Sequence, residues 1–207
     1  MMTGMTRTLT MAFWLLATTV TGCGHPNPLR PPTSPGATMS DGPTASYPPL
    51  PQGWNPTPVI PTTQQQAQDT LLDYLTKTLA ALPHGTTLDA TRFDEPVDTI
   101  GVDDDDHSPT SPRSMGTIGD LTLPPGTDTA SIVAQTGDIW KSWGWYVIER
   151  DGFYKPNRFG YAPNGYSLQI MARFQPDQAP GLIGVSPDFP GNIPDQRSPF
   201  PMILRAP

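Results

Sequence analysis

The chain has 207 residues, with Lys+Arg 12 against Asp+Glu 19 and a formal net charge of −7. That acidic balance argues against nucleic acid as a partner and against a polybasic membrane-surface role, since both need a cationic face. Cysteine occurs once, so no intramolecular disulfide can form and a folded domain must rest on its core alone.

Met1 to Thr8 carries Arg7 as its only side-chain charge, and Leu9 to Val20 is uncharged and mostly apolar. A membrane-spanning helix needs about 20 apolar residues, so this run has the length of a signal-peptide h-region instead. It closes on Val20-Thr21-Gly22-Cys23, which resembles the lipobox of bacterial lipoprotein precursors. The resemblance implies that Cys23 receives a diacylglyceryl group and that a peptidase cuts after the small Gly22, removing residues 1–22. Val20 stands where leucine is commonest and is an accepted variant. The competing reading, a buried cysteine after a short core helix, is disfavoured because the residues that follow cannot pack a core over it. Buried acyl chains contribute about 0.8 kcal/mol per CH₂, and two or more chains anchor firmly. The expected location is the extracytoplasmic face of the cell membrane, held through lipid on Cys23.

Residues 23–62 then form a proline-rich linker with only Arg30 and Asp41 charged and no apolar period. Such a tract favours an extended, disordered stalk with polyproline-II character. Its Thr and Ser beside Pro also suit O-glycosylation, and the tract could serve as ligand for a proline-binding partner.

A globular domain is expected over 63–187. Leu71, Leu75, Leu79 and Leu82 recur at helical spacing, with Thr62 or Thr63 as cap and Pro83 with Gly85 as stop. Thr86 to Phe93 reads as a strand, Asp94 to Pro112 as an acidic loop, and Ser114 to Leu123 as a second strand. Asp128 opens a second helix with Ile132, Val133, Ile139, Trp140 and Trp143 inward, and Gly144 stops it. Trp145 to Arg150 is a strand followed by the turn signal Asp151-Gly152. In Gly165 to Phe174, alternation puts Tyr166, Leu168, Ile170, Ala172 and Phe174 on one face and turns Ser167, Gln169 and Arg173 to water. Gly181 to Ser186 is the last strand, and 188–207 reads as a loosely held proline-rich tail. The order predicts an α+β two-layer sandwich: an antiparallel sheet of about five strands with two helices on one face.

The stretch Ile139 to Ile170 carries Trp-Gly-Trp, Arg-Asp-Gly-Phe and Gly-Tyr-x-Pro-x-Gly-Tyr. With the lipobox and the stalk, this pattern resembles small lipoproteins of mycobacteria and related actinobacteria over roughly Gln64 to Ser186. The resemblance implies no activity and transfers no catalytic residue.

Bottom-up, the chemistry is sparse. His25 lies in the linker, His84 suits the helix end before it, and neither His84 nor His107 accompanies a G-x-S-x-G nucleophile. Asp103 to Asp106 is acidic without the glycine and terminal glutamate of a calcium loop, so it reads as a solvated loop, with weak cation binding as the alternative. No cofactor and no metal is implied. The basic and aromatic hairpin holds Arg150, Phe153, Tyr154, Lys155, Arg158, Phe159 and Tyr161. It is the candidate interaction surface for an anionic or sugar-bearing partner, against the alternative that its aromatics pack on the sheet. The expected function is a displayed, non-catalytic binding domain whose partner is an envelope protein, glycan or lipid. A lipid- or glycan-handling cavity between helices and sheet is the alternative, and a hydrolase the third.

Overall fold

The computed structural model describes residues 52–92, 98–102, 110–175 and 178–206; Cys23, most of the linker and Asp103 to Asp106 lie outside them. Helix α1, Gln64–Ala80, starts where Thr63 Oγ1 accepts from Gln66 N–H at 3.0 Å, while Gln66 Oε1 accepts from Thr62 N–H at 2.8 Å. This reciprocal arrangement satisfies amides that a helix start leaves open. Helix α2, Thr129–Ser142, starts where Asp128 accepts from Ser131 N–H and Oγ, at 2.8 and 2.7 Å. It ends at Gly144, whose φ of 79° suits a residue without Cβ.

The strands are β1 Thr87–Asp89, β2 Asp98–Val102, β3 Pro112–Thr122, β4 Tyr146–Ile148, β5 Asn157–Tyr161, β6 Ser167–Met171, β7 Gly181–Val185, β8 Phe189–Pro190 and β9 Ile203–Arg205. All pairings are antiparallel in one sheet of order β4-β5-β6-β7-β3-β1-β9, with β2 and β8 on further stretches of β3. The long β3 is the hub, since β1, β2, β7 and β8 share its two edges only by occupying different lengths of it. The fold is the expected α+β sandwich, with both helices on one face. The sheet is larger than about five strands: β2 emerges from the acidic stretch, β5 from the hairpin, and β8 and β9 from the tail.

Helix packing is set by a row of side chains across five strands. Val147, Gly160, Leu168, Gly184 and Thr117 are register partners on the helix face, so large and small residues alternate across it. A Cβ on Gly160 would lie 2.6 Å from Trp140 Cε3, and one on Gly184 would lie 3.2 Å from Leu71 Cδ2. The glycines let Trp140 from α2 and Leu71 from α1 descend onto the backbone. Trp140, Leu71, Leu75 and Leu168 are fully buried in the resulting core, and Trp140 Nε1–H donates to Thr78 Oγ1 at 3.1 Å. That bond joins the helices above the sheet.

The domain limits also move. The tail expected to be loose folds back over α1: Ser198 N–H donates to Gln65 Oε1 at 2.6 Å, Gln68 Nε2 donates to Ser198 O at 2.8 Å, and Phe189 and Phe200 are buried. Its end, β9, pairs with β1. Residues 54–60, assigned to the linker, lie along the opposite face of the sheet, where Trp54 packs on Tyr146. That face is not solvated as alternation suggested: Ser167 and Gln169 are 5% and 3% exposed, while Phe174, placed inward, is 77% exposed. A second small cluster of Tyr146, Ile148, Phe159 and Tyr161 packs there under Trp54 and Phe153.

Overpacking a filled core costs about 1–3 kcal/mol. Gly160→Ala is expected to destabilise by that amount in denaturant unfolding, because the new methyl meets the Trp140 ring rather than a flexible tip.

Candidate functional site

The hairpin expected to form one exposed patch is divided by β5. Neighbouring residues of a strand point to opposite faces, and β5 sends Phe159 and Tyr161 outward while Arg158 turns to the helices. The Arg158 stem lies against α2, where a Cβ on Gly137 would be 2.7 Å from its Cγ, and its Nη1 donates to Glu149 Oε2 at 2.7 Å. Arg150 is not a surface cation: it is 5% exposed, with its guanidinium carbon 5.1 Å from the Phe159 ring centre and 5.8 Å from that of Phe153. Its Nη1 donates to the Tyr161 hydroxyl at 3.2 Å. Asn157, fully buried, locks the loop by accepting from Arg150 N–H at 2.8 Å and donating to the carbonyls of Arg150 and Tyr154, at 3.0 and 3.1 Å.

Only Tyr154 and Lys155 of the expected surface remain well exposed. Lys155 sits between Asp151 at 2.8 Å and Glu149 at 3.2 Å, and these carboxylates raise its pKa. Burial pushes the Glu149 carboxyl up, but Arg158 and Lys155 more than offset it and hold the pKa below the usual value. Lys155 and Arg158 are matched by Glu149 and Asp151, and the third cation, Arg150, is buried, so the hairpin does not present the expected basic patch. Phe159 and Tyr161 pack on the sheet, with Phe153 against them.

A second charged cluster lies on the outer face. Arg92 and Arg173 both donate to Asp120, whose cross-strand neighbour is Asp89. Burial pushes the Asp120 carboxyl up, and the two guanidiniums pull it below its ordinary value. Two cations against two carboxylates make a neutral structural cluster. Among the described residues no group of His, Cys, Asp and Glu could hold a metal ion.

The concave feature that emerges is one no motif announced. Residues 54–60 run alongside the turn between β5 and β6, fastened by Thr57 N–H to Pro163 O at 2.7 Å and Val59 N–H to Asn164 O at 2.9 Å. Thr57 and Val59 each follow a proline, and Pro56 and Pro58 have no amide to donate. Gly165, at φ 92°, is pinched between them and the sheet: a Cβ there would be 3.1 Å from both Pro58 Cβ and Pro187 Cβ. Trp54 packs on Tyr146 with ring centres 5.4 Å apart.

Between this strap and the sheet opens a groove of about 300 Å³. Trp54, Pro56, Pro58 and Ile60 form its outer wall, and Tyr161, Tyr166, Val185 and Pro187 its floor. Ser167, Ser186 and Asp188 supply the polar points. The Ser186 hydroxyl is already engaged, accepting from Met115 N–H and donating to Pro187 O, both at 2.9 Å. The wall residues belong to a stretch whose composition signals only an extended chain, so the sequence could not place them on the sheet. Trp54 among prolines is the one signal that could have found them.

The chain matches no protein-family model, no curated protein and no solved structure.

Leaving a buried polar group without its partner costs about 1–3 kcal/mol. Arg150→Ala is expected to lower stability by at least this much in denaturant unfolding, because Tyr161 and two ring faces lose their contact. Lys155→Ala should leave the unfolding midpoint unchanged.

Proposed function

We propose that this chain is an exported lipoprotein, anchored through Cys23, and that its domain is a non-catalytic binding module whose ligand seats an apolar group in the groove beside Trp54. The observation that supports the site most directly is the groove itself, a cleft walled by aromatic and proline side chains with few polar groups, as small-ligand sites are. Its volume is at the small end of such sites, which suits a ring or the end of a chain rather than a whole lipid. The lipobox resemblance of Val20-Thr21-Gly22-Cys23 supports the anchor.

The groove also separates this reading from a chain-handling cavity between helices and sheet. That space is occupied by Leu71, Leu75, Trp140 and Leu168, each fully buried. A binding function therefore falls to the outer face, where the domain meets its linker. The acidic net charge, and a hairpin whose Lys155 and Arg158 are ion-paired and whose Arg150 is buried, give no support to an anionic partner.

Two measurements test the proposal. Cells given a labelled fatty acid should incorporate it into the wild-type chain and not into Cys23→Ala; a labelled Cys23→Ala chain, cut before position 23, removes the anchor. A dansylated fatty acid is the probe for the groove. Its saturable fluorescence gain with wild type should fall at least tenfold in affinity with Val185→Trp, about 1.4 kcal/mol, since the new ring fills the floor. Equal binding by a folded Val185→Trp chain would exclude the groove.

A further inference from the structure

The wall of the groove and the strap's hold on the domain come from alternate residues. Trp54, Pro56, Pro58 and Ile60 line the groove, while the amides of Thr57 and Val59 bond the strap to the carbonyls of Pro163 and Asn164. That period of two is what an extended chain imposes. Thr57 and Val59 are not among the lining residues, and Val59 is 53% exposed.

The two ends of the strap are held unequally. At the α1 end, Pro61 is buried and Thr62 N–H donates to Gln66 Oε1 at 2.8 Å. At the linker end, Gln52, Gly53 and Asn55 are exposed, and Trp54 rests on the Tyr146 ring. The turn beneath is tied down separately. Ala162 N–H donates to Tyr166 O at 2.8 Å, Gly165 N–H to Ala162 O at 3.0 Å, and Asn164 Nδ2 to the Tyr74 hydroxyl at 2.9 Å. A strap that lifts therefore pivots at Pro61 and leaves the turn intact. Segments with few contacts are the ones that open locally.

We propose that the strap is a clamp on the groove: it swings about Pro61, and a ligand seated in the groove holds it shut. This rests on the groove as the ligand site and adds how that site is regulated. The groove is open while the strap is docked, so a ligand enters without displacing the strap. Once seated, it meets strap side chains that a lifted strap takes away. A ligand shifts an equilibrium by its difference in affinity for the two states, and here that difference favours the closed one. Lifting the strap removes the outer wall and lowers affinity. Because the linker enters at Trp54, a pull along it and a seated ligand act on the strap in opposite directions.

The test removes the hold without touching the wall. Val59→Pro deletes one of the two amides and leaves every lining side chain in place, while Val59→Ala keeps the amide. The dansylated fatty acid should bind Val59→Ala as it binds wild type, and Val59→Pro about fivefold or more weakly. In the unsubstituted chain, hydrogen exchange reads the strap directly. Saturating probe should slow exchange at the Thr57 and Val59 amides and leave Ala90 N–H, bonded to Met202 O near the far edge of the sheet, unchanged.

Binding that Val185→Trp removes and Val59→Pro leaves intact would overturn the clamp and keep the groove. Unchanged or faster exchange at Thr57 and Val59 under saturating probe would overturn the clamp as well, whether or not Val59→Pro folds. No saturable binding to wild type would overturn the groove and the clamp together.

Discussion

The contact between Trp140 and the bare backbone of Gly160 is the constraint on which the rest of the domain depends. The indole can be fully buried only because β5 presents no Cβ beneath it, and its Nε1–H finds Thr78 on the other helix. A buried tryptophan combines a large apolar surface with one donor that must be satisfied. Here the satisfied donor also fixes the spacing of α1 and α2. The donor's partner is itself anchored, since Thr78 Oγ1 donates to Tyr74 O at 2.8 Å. Gly184 under Leu71 repeats the same solution for α1, so both helices settle close to the sheet and the first core is filled.

Filling that core decides where the opposite face must look for cover. A sheet with apolar residues on both faces needs a second layer, and the described residues hold no third helix to supply it. Trp54 with the strap, and Phe153 with the hairpin turn, cap the cluster of Tyr146, Ile148, Phe159 and Tyr161. The strap donates only through Thr57 and Val59, so its hold is local and mostly apolar. Buried Arg150 belongs to the same layer, with its charge set against aromatic faces instead of solvent. Arg150, Arg158, Phe159 and Tyr161 of the hairpin are thus structural parts of the fold.

Much of the architecture was legible in the residues. The heptad-like leucines of α1, the Thr63 and Asp128 caps and the Gly144 stop each rest on local chemistry, and each reads the same in the structure. The strands missed are short or proline-flanked. Phe159 and Tyr161 alternate with Arg158 and Gly160, but the run sits between a proline and a turn and resembles a loop. The tail is held by backbone carbonyls of Pro194 and Ser198 meeting glutamines of α1, partners separated by most of the domain's length. No periodicity records such a bond. The candidate groove was illegible for the same reason: its wall and floor are distant in sequence, and proline-rich composition says how a chain extends without saying what it lies against.

The strap and the groove are joined to the sheet through one residue. Tyr146 lies in β4, and its ring carries Trp54, the first wall residue of the groove. In an anchored protein the linker reaches the domain at Trp54, so any pull along the linker acts first on the strap and on the Trp54–Tyr146 contact. The core beneath Trp140 is insulated from that pull by the sheet, because its helices are fixed from the other face. The arrangement places the strap between the proposed anchor and the proposed ligand groove. Seating a ligand and docking the strap then share Trp54, and by linkage each must change the other by the same free energy.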